Sequence, residues 1–141
     1  MPTTDADRYA PYMLGILRIM TGLLYMQHGL QKLFKFPGAG HHPGPFELFT
    51  LAGIGGVLET FGGLAIVLGV FTRPVAFVLS GQMAVAYFLI HLGSNVGKPM
   101  GIFPVVNGGD LAILFCFVFL YFSVAGPGHF SLGSRAAGHG N

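Results

Sequence analysis

Four apolar runs, each about as long as a bilayer core is thick, dominate the chain. A helix that spans the hydrocarbon needs roughly 20 mostly apolar residues. The runs lie at about 12–34, 51–71, 74–93 and 107–126 of the 141 residues. They are continuous and do not alternate, which argues for helices and against membrane β-strands. Arg18 interrupts the first run and no small-residue cleavage site follows it, so it reads as a span and not as a cleaved leader. The runs leave room for no soluble module, so residues 1–141 read as one integral membrane domain. The expected fold is all-α, a four-transmembrane-helix antiparallel bundle.

Composition excludes the other classes. Only 9% of the residues are Asp, Glu, Lys or Arg, against roughly 25% in an ordinary soluble domain. Disordered chains are charged and poor in apolar residues, whereas this one is 52% hydrophobic. A net charge of +2 offers no basic patch to nucleic acid. A single cysteine, Cys116, makes no disulfide or two-cysteine redox motif and reads as a packing residue. The partner that composition does call for is the lipid bilayer.

Turn chemistry separates the runs. The stretch from Phe36 to Pro45 is too rich in Pro and Gly to remain helical. His41 and His42 within it read as solvated loop residues. Thr72-Arg73-Pro74 is a short hairpin, with Pro74 suited to the first turn of the next helix. Gly97 to Gly101 and Phe103-Pro104 open the third connection, and Gly126-Pro127-Gly128 ends the last run. With four spans, both termini share one face of the membrane, side A, with Arg8, Arg18, Arg73 and Arg135. Side B carries Lys32, Lys35 and Lys98. The excess of Arg and Lys on side A places the termini in the cytoplasm.

Ionisable groups inside a span are costly, about 2.5–3.5 kcal/mol each at mid-helix, so their positions carry information. At a rise of about 1.5 Å per residue, Arg18 lies about 9 Å in from side A and Glu59 about 18 Å. The expectation is an Arg18–Glu59 ion pair inside the bundle. Arg18, Gly22, Tyr25, Gly29 and Lys32 share one stripe of the first helix. Glu59 shares its own with Ala52, Gly55, Gly56, Gly62 and Gly63. Small residues let membrane helices approach closely, so the Glu59 stripe reads as a packing face. The pair then serves either as a lock between two helices or as a proton or ligand site.

A second group falls near side B. His28, His91 and Asp110 come from three helices, with Gln31, Lys32 and Asn107 at the same level. His91 shares a face with Ser80, Ala84 and Tyr87, while Gln82 points the other way, toward a second subunit of a homo-oligomer. Two readings stand: anchors for helix ends, or a proton or ligand site. A metal site is the third and weakest reading, and none is assigned. The aromatic face of the fourth helix, from Phe115 to Phe122, fits lipid or a quinone ring.

In order along the chain, these residues resemble the DoxX family of small bacterial membrane proteins. The blocks are Leu17-Arg18 with Gly22 and His28-Gly29-Leu30-Gln31-Lys32-Leu33. Next come Glu59-Thr60-Phe61-Gly62-Gly63-Leu64 running into Leu68 to Pro74, then Met83 to Phe88 with His91. Phe103-Pro104 with Asn107 to Ala112, and Gly126-Pro127-Gly128 with Ser131-Leu132, close the set. Asp110 stands where relatives commonly carry Glu, Phe103 where many carry Trp, and the tail lacks an acidic residue often found there. The resemblance implies a four-helix bundle in the bacterial inner membrane and an oxidoreductase or oxidoreductase-subunit role, a label that descends from thiosulfate:quinone oxidoreductase. The matching polar positions are Arg18, His28, Lys32, Glu59, His91, Asn107 and Asp110. On that basis His28, His91 and Asp110 are the catalytic candidates, and Arg18, Lys32, Glu59, Tyr87 and Asn107 the binding candidates. The implied ligand is a quinone or small sulfur compound, with a soluble or membrane redox partner for the electrons. A scaffold for a soluble redox partner and a small-molecule carrier or efflux component are the alternatives.

Overall fold

The computed structural model describes residues 5–38 and 45–133. His41, His42 and Arg135 lie outside them. Among the described residues the structure is all helical. Helix α1 is Asp5–Phe34, α2 Leu51–Leu68 and α3 Thr72–Asn95. A short α4, Pro104–Asn107, precedes α5, Asp110–Ala125. Local chemistry sets several ends. Thr50 caps α2, its hydroxyl accepting from the Gly53 amide at 3.0 Å. Gly69 ends α2 in the left-handed region at φ +71°. Its amide bonds Ile66 O, and that of Val70 bonds Ala65 O, a Schellman turn. Pro104 opens α4, where its missing N–H costs nothing.

The boundaries follow the apolar runs with two differences. Helix α1 starts two turns before the first run and passes through Pro11. The fourth run is divided: Gly108, at φ +73°, separates α4 from α5. By length and composition, α2 and α3 are apolar enough to cross a membrane. Helix α1 is long enough but carries Asp5, Asp7, Arg8, Arg18 and Lys32, and α5 has only 16 residues.

Contacts define the packing. Along α1, Gly22 meets Gly63 and Val67, and Gly29 meets Thr60 and Gly56, so α1 and α2 are antiparallel. A Cβ on Gly22 would come 2.9 Å from Gly63 O, which explains the small residues of both stripes. Ser80 of α3 bonds Cys116 O of α5 at 2.9 Å, and Arg73 bonds Ser123 O and Val124 O, so these two are also antiparallel. The core joins Tyr25, Ile66, Ala76, Leu79, Met83, Ala112, Phe115, Phe119 and Phe122. Outside it the surface is apolar as well: Phe77 is 66% exposed and Phe117 64%. A hydrocarbon solvent leaves such a surface without penalty, whereas water does not.

Arg18 overturns the expected ion pair. Its guanidinium is fully buried and donates to five carbonyls: Pro127 at 2.7 Å, Val67 at 2.6 Å, Phe130 at 3.0 Å, His129 at 3.3 Å, and Ile66. Ile66 and Val67 belong to the last turn of α2, where a cation is favoured; Ile66 O also accepts from the Gly69 amide, so Arg18 is its second donor. The other three lie in the segment after α5. The Tyr12 ring stacks on His129 at 4.1 Å, and Ser131 Oγ donates to Gly69 O at 2.8 Å. One side chain therefore ties α1, the end of α2 and residues 127–131 together.

Replacing Arg18 should be costly, because each buried carbonyl left without its donor costs about 1–3 kcal/mol. Arg18→Gln is expected to lose at least about 3 kcal/mol, read by unfolding in detergent, with Arg18→Lys intermediate because it has three donors and not five. Limited proteolysis should find residues 127–133 protected in the parent and cleaved in Arg18→Gln. Equal stability and protection in all three would refute the anchor.

Candidate functional site

The partner of Glu59 is Lys32. Lys32 Nζ donates to Glu59 Oε1 at 2.6 Å. The same oxygen accepts from Gln82 Nε2 at 3.3 Å, and Gln82 Nε2 also reaches Gly55 O at 3.4 Å. Tyr25 Oη donates to Gln82 Oε1 at 2.9 Å. The result is a polar chain from α1 through α3 to α2, inside the bundle. Glu59 is 3% exposed. The Lys32 side chain is 22% exposed, so the chain opens on the Lys32 end. Tyr25 closes the other, packed edge-on against Phe115 and Phe119 at centroid distances of 5.2 and 4.7 Å.

Helix geometry positions these groups. Both α2 and α3 contain a stretch of i→i+5 (π) bonding, at Leu58–Gly62 and Ala86–Leu92. Such stretches are uncommon and recur at functional sites. The first carries Glu59 and Thr60, the second Tyr87 and His91. Within the first, Thr60 Oγ1 bonds back to Gly56 O at 2.8 Å. Glu59 Oε2 is buried and makes no hydrogen bond among the described residues. Its sister oxygen holds both donors.

The group read near side B is divided. His91 Nδ1 lies 3.2 Å from Asn107 O. Asn107 is buried and braces the turn before α5. Its Nδ2 donates to Gly101 O at 3.0 Å, and its Oδ1 accepts from the Gly109 amide at 2.8 Å. The Tyr87 ring lies against Gly109. Thus Tyr87, His91 and Asn107 come together where α3 meets the start of α5. His28 sits elsewhere, its ring edge-on to Phe115 at 6.3 Å. Asp110 is exposed at the start of α5, on the face of exposed Phe117 and Tyr121. Among the described residues, no three His, Cys, Asp or Glu side chains cluster as metal ligands do.

One interior residue, Gln82, is misplaced by helical phase alone. Gln82 lies inside the bundle against α1 and α2, and not on an outer face toward a second subunit. Ser80, on the opposite side of α3, is also buried, against Cys116 of α5. Helix α3 therefore has two packing faces, and a one-face reading fails for it. Tyr25 was on the right stripe, but its hydroxyl partner lies on another helix. The signal that identifies Gln82 is the hydropathy of its surroundings, since an amide within an apolar run needs partners inside the protein.

A double-mutant cycle checks the pairing. Lys32→Met and Glu59→Gln should couple by about 1–3 kcal/mol in detergent stability, while Arg18→Gln and Glu59→Gln should add within about 0.5 kcal/mol. Coupling of Glu59 to Arg18 and not to Lys32 would reverse the assignment.

A family model, DoxX, matches residues 13–92. This region holds Arg18, Tyr25, Lys32, Glu59 and Gln82, whereas Asn107 and Asp110 lie beyond it. An uncharacterized protein of Haemophilus influenzae is 39% identical over 93% of this chain and 96% of its own length. An uncharacterized membrane protein of Mycobacterium tuberculosis is 32% identical over 84% of this chain and 78% of its own. No solved structure matches the chain significantly. Together with the apolar exterior, these likenesses make it a membrane protein. With the family model spanning more than half of the sequence and a relative aligned across nearly all of it, the chain belongs to the DoxX family.

Proposed function

We propose that this protein crosses the bacterial inner membrane four times and is the small-molecule-binding subunit of a membrane oxidoreductase system. Its substrate is a quinone or a small sulfur compound, and a soluble or membrane partner exchanges the electrons. The observation that carries this reading is the Tyr25–Gln82–Glu59–Lys32 chain. An ion pair and an amide inside a bundle with an apolar exterior are expensive to keep for packing alone, since well-packed apolar residues stabilise as well or better. In membrane proteins such groups mark ligand and proton paths by default. The opening at Lys32 gives the chain a route to side B, where quinone head groups and small solutes meet the bundle.

Helix lengths support four crossings. At about 1.5 Å per residue, α1 is longer than the roughly 30 Å hydrocarbon core and α5 somewhat shorter. Local thinning and the neighbouring α4 accommodate α5. By sequence position, Arg8, Arg18, Arg73 and Arg135 fall on side A against Lys32, Lys35 and Lys98 on side B, an excess of one that favours cytoplasmic termini.

Quinone-coupled turnover in proteoliposomes, with membrane extract as the source of partner, tests the function. Turnover should fall at least about ten-fold in Lys32→Met and Glu59→Gln, equivalent to about 1.4 kcal/mol of transition-state stabilisation, and persist in the outward-facing Phe117→Leu. Equal turnover in all variants, or substrate counterflow without redox change, would refute it. Reporter fusions test the topology: alkaline phosphatase joined within residues 96–103 should be active, and joined after residue 133 inactive. The reverse pattern would invert the orientation.

A further inference from the structure

We propose that Lys32, Gly55, Glu59 and Gln82 bind the hydroxyl group of a neutral, lipid-soluble alcohol or phenol. This rests on reading the same interior as the small-molecule site and names the chemistry it selects.

Three observations converge. The first is the Glu59 Oε2 acceptor, which is buried and has no donor among the described residues, while Oε1 holds Lys32 and Gln82. A buried carboxylate oxygen without a donor is a costly arrangement. A ligand that brings an O–H relieves it.

The second is Gly55. Four other glycines of α2 are packed against something: a Cβ on Gly56 would meet Leu33 and Lys32 Cβ at 3.0 Å, on Gly62 Leu79 at 2.7 Å and on Gly63 Met26 at 2.9 Å, and on Gly53 it would strike the backbone of Glu47. Gly55 differs. Its Cβ would find Gln82 Nε2 at 3.5 Å, Lys32 Nζ at 3.7 Å and Glu59 Oε1 at 3.9 Å, all ordinary contacts. Helix packing does not require glycine there. What glycine provides is room, about one methyl group, bordered by the polar atoms of the network.

The third is charge. Lys32 and Glu59 neutralise one another, so an ion of either sign gains little net attraction there to offset the cost of leaving water. A neutral group that both donates and accepts suits it, donating to Glu59 Oε2 and accepting from Lys32 Nζ, which has three protons. A hydroxyl does both with one small atom. The bundle's apolar exterior selects for a lipid-soluble body, and the 22% exposure of the Lys32 side chain sets the direction of entry.

The probe pair is 4-propylphenol and 4-propylanisole, alike except that the ether has no O–H. Binding is measured by titration calorimetry on the full chain in lipid nanodiscs, with empty nanodiscs subtracted. The phenol should bind saturably, at least about ten-fold tighter than the anisole, and shift the Glu59 carboxylate stretch in the infrared difference spectrum. Glu59→Gln should abolish that shift, but it also leaves Lys32 without its partner. Gly55→Ala is the decisive variant: it keeps every charge and fits without backbone clash. It should retain thermal stability yet lose phenol binding at least about ten-fold. Equal binding of phenol and anisole, meaning partition into lipid only, would overturn the proposal, as would undiminished phenol binding in Gly55→Ala. The outcomes separate from those of the redox reading. Donor-dependent binding without quinone turnover leaves the site and removes the redox role. Quinone turnover in the parent protein with phenol bound no tighter than anisole does the opposite.

Discussion

A buried arginine without a carboxylate holds the bundle in register. Carbonyls at a helix end have no intrahelical donors, and hydrocarbon supplies none. Arg18 meets that need for Val67, adds a second donor to Ile66 O beside the Gly69 amide, and holds three carbonyls after α5. Because the bonds run to backbone, they fix where α1 stands along α2, and not merely that the two touch. Lys32 follows Arg18 by four turns of α1, about 21 Å at the helical rise. With Arg18 bound at the end of α2, Lys32 arrives beside Glu59. The anchor at one end of α1 thus delivers the ion pair at the other.

Glycine works in two ways along this contact. Gly22, Gly29, Gly56 and Gly63 remove side chains so that the backbones of α1 and α2 can approach. Gly55 instead borders the polar atoms at ordinary contact distance and keeps space among them. The π stretches in α2 and α3 rotate the helix faces locally, so that Glu59, and further along Tyr87 and His91, sit on turns with distorted hydrogen bonding. Close packing at one level and room at the next are therefore built from the same residue type, and neighbours on the facing helix decide which applies.

Part of this was legible in the sequence. The apolar runs located α2, α3 and the C-terminal end of α1 to within a few residues, because continuous hydrophobicity and Pro/Gly breaks act locally; α1 itself starts two turns earlier, in polar sequence. The stripes through Gly22, Lys32, Gly55 and Glu59 were legible too, since phase holds over a few regular turns. Pairing across helices was not. Rise arithmetic placed Arg18 near Glu59, but carbonyl acceptors carry no side-chain signature, so the five that hold Arg18 could not be anticipated. The grouping of His28, His91 and Asp110 rested on shared depth. Depth does not fix azimuth, and Asp110 lies outward while His28 faces Phe115. Gln82 escaped because α3 is packed on two sides.

By itself, then, the sequence determined the solvent, the helices and the scarcity of charge within them: transfer energies and local turn chemistry depend on residue type and order alone. Only the tertiary structure decided which cation meets Glu59, that Gln82 and Tyr25 complete the chain, and that one glycine leaves room where its neighbours close it. Those outcomes depend on the relative translation and rotation of helices, which are set by backbone contacts such as those of Arg18 and by the π stretches, and neither is written in the identity of any single residue.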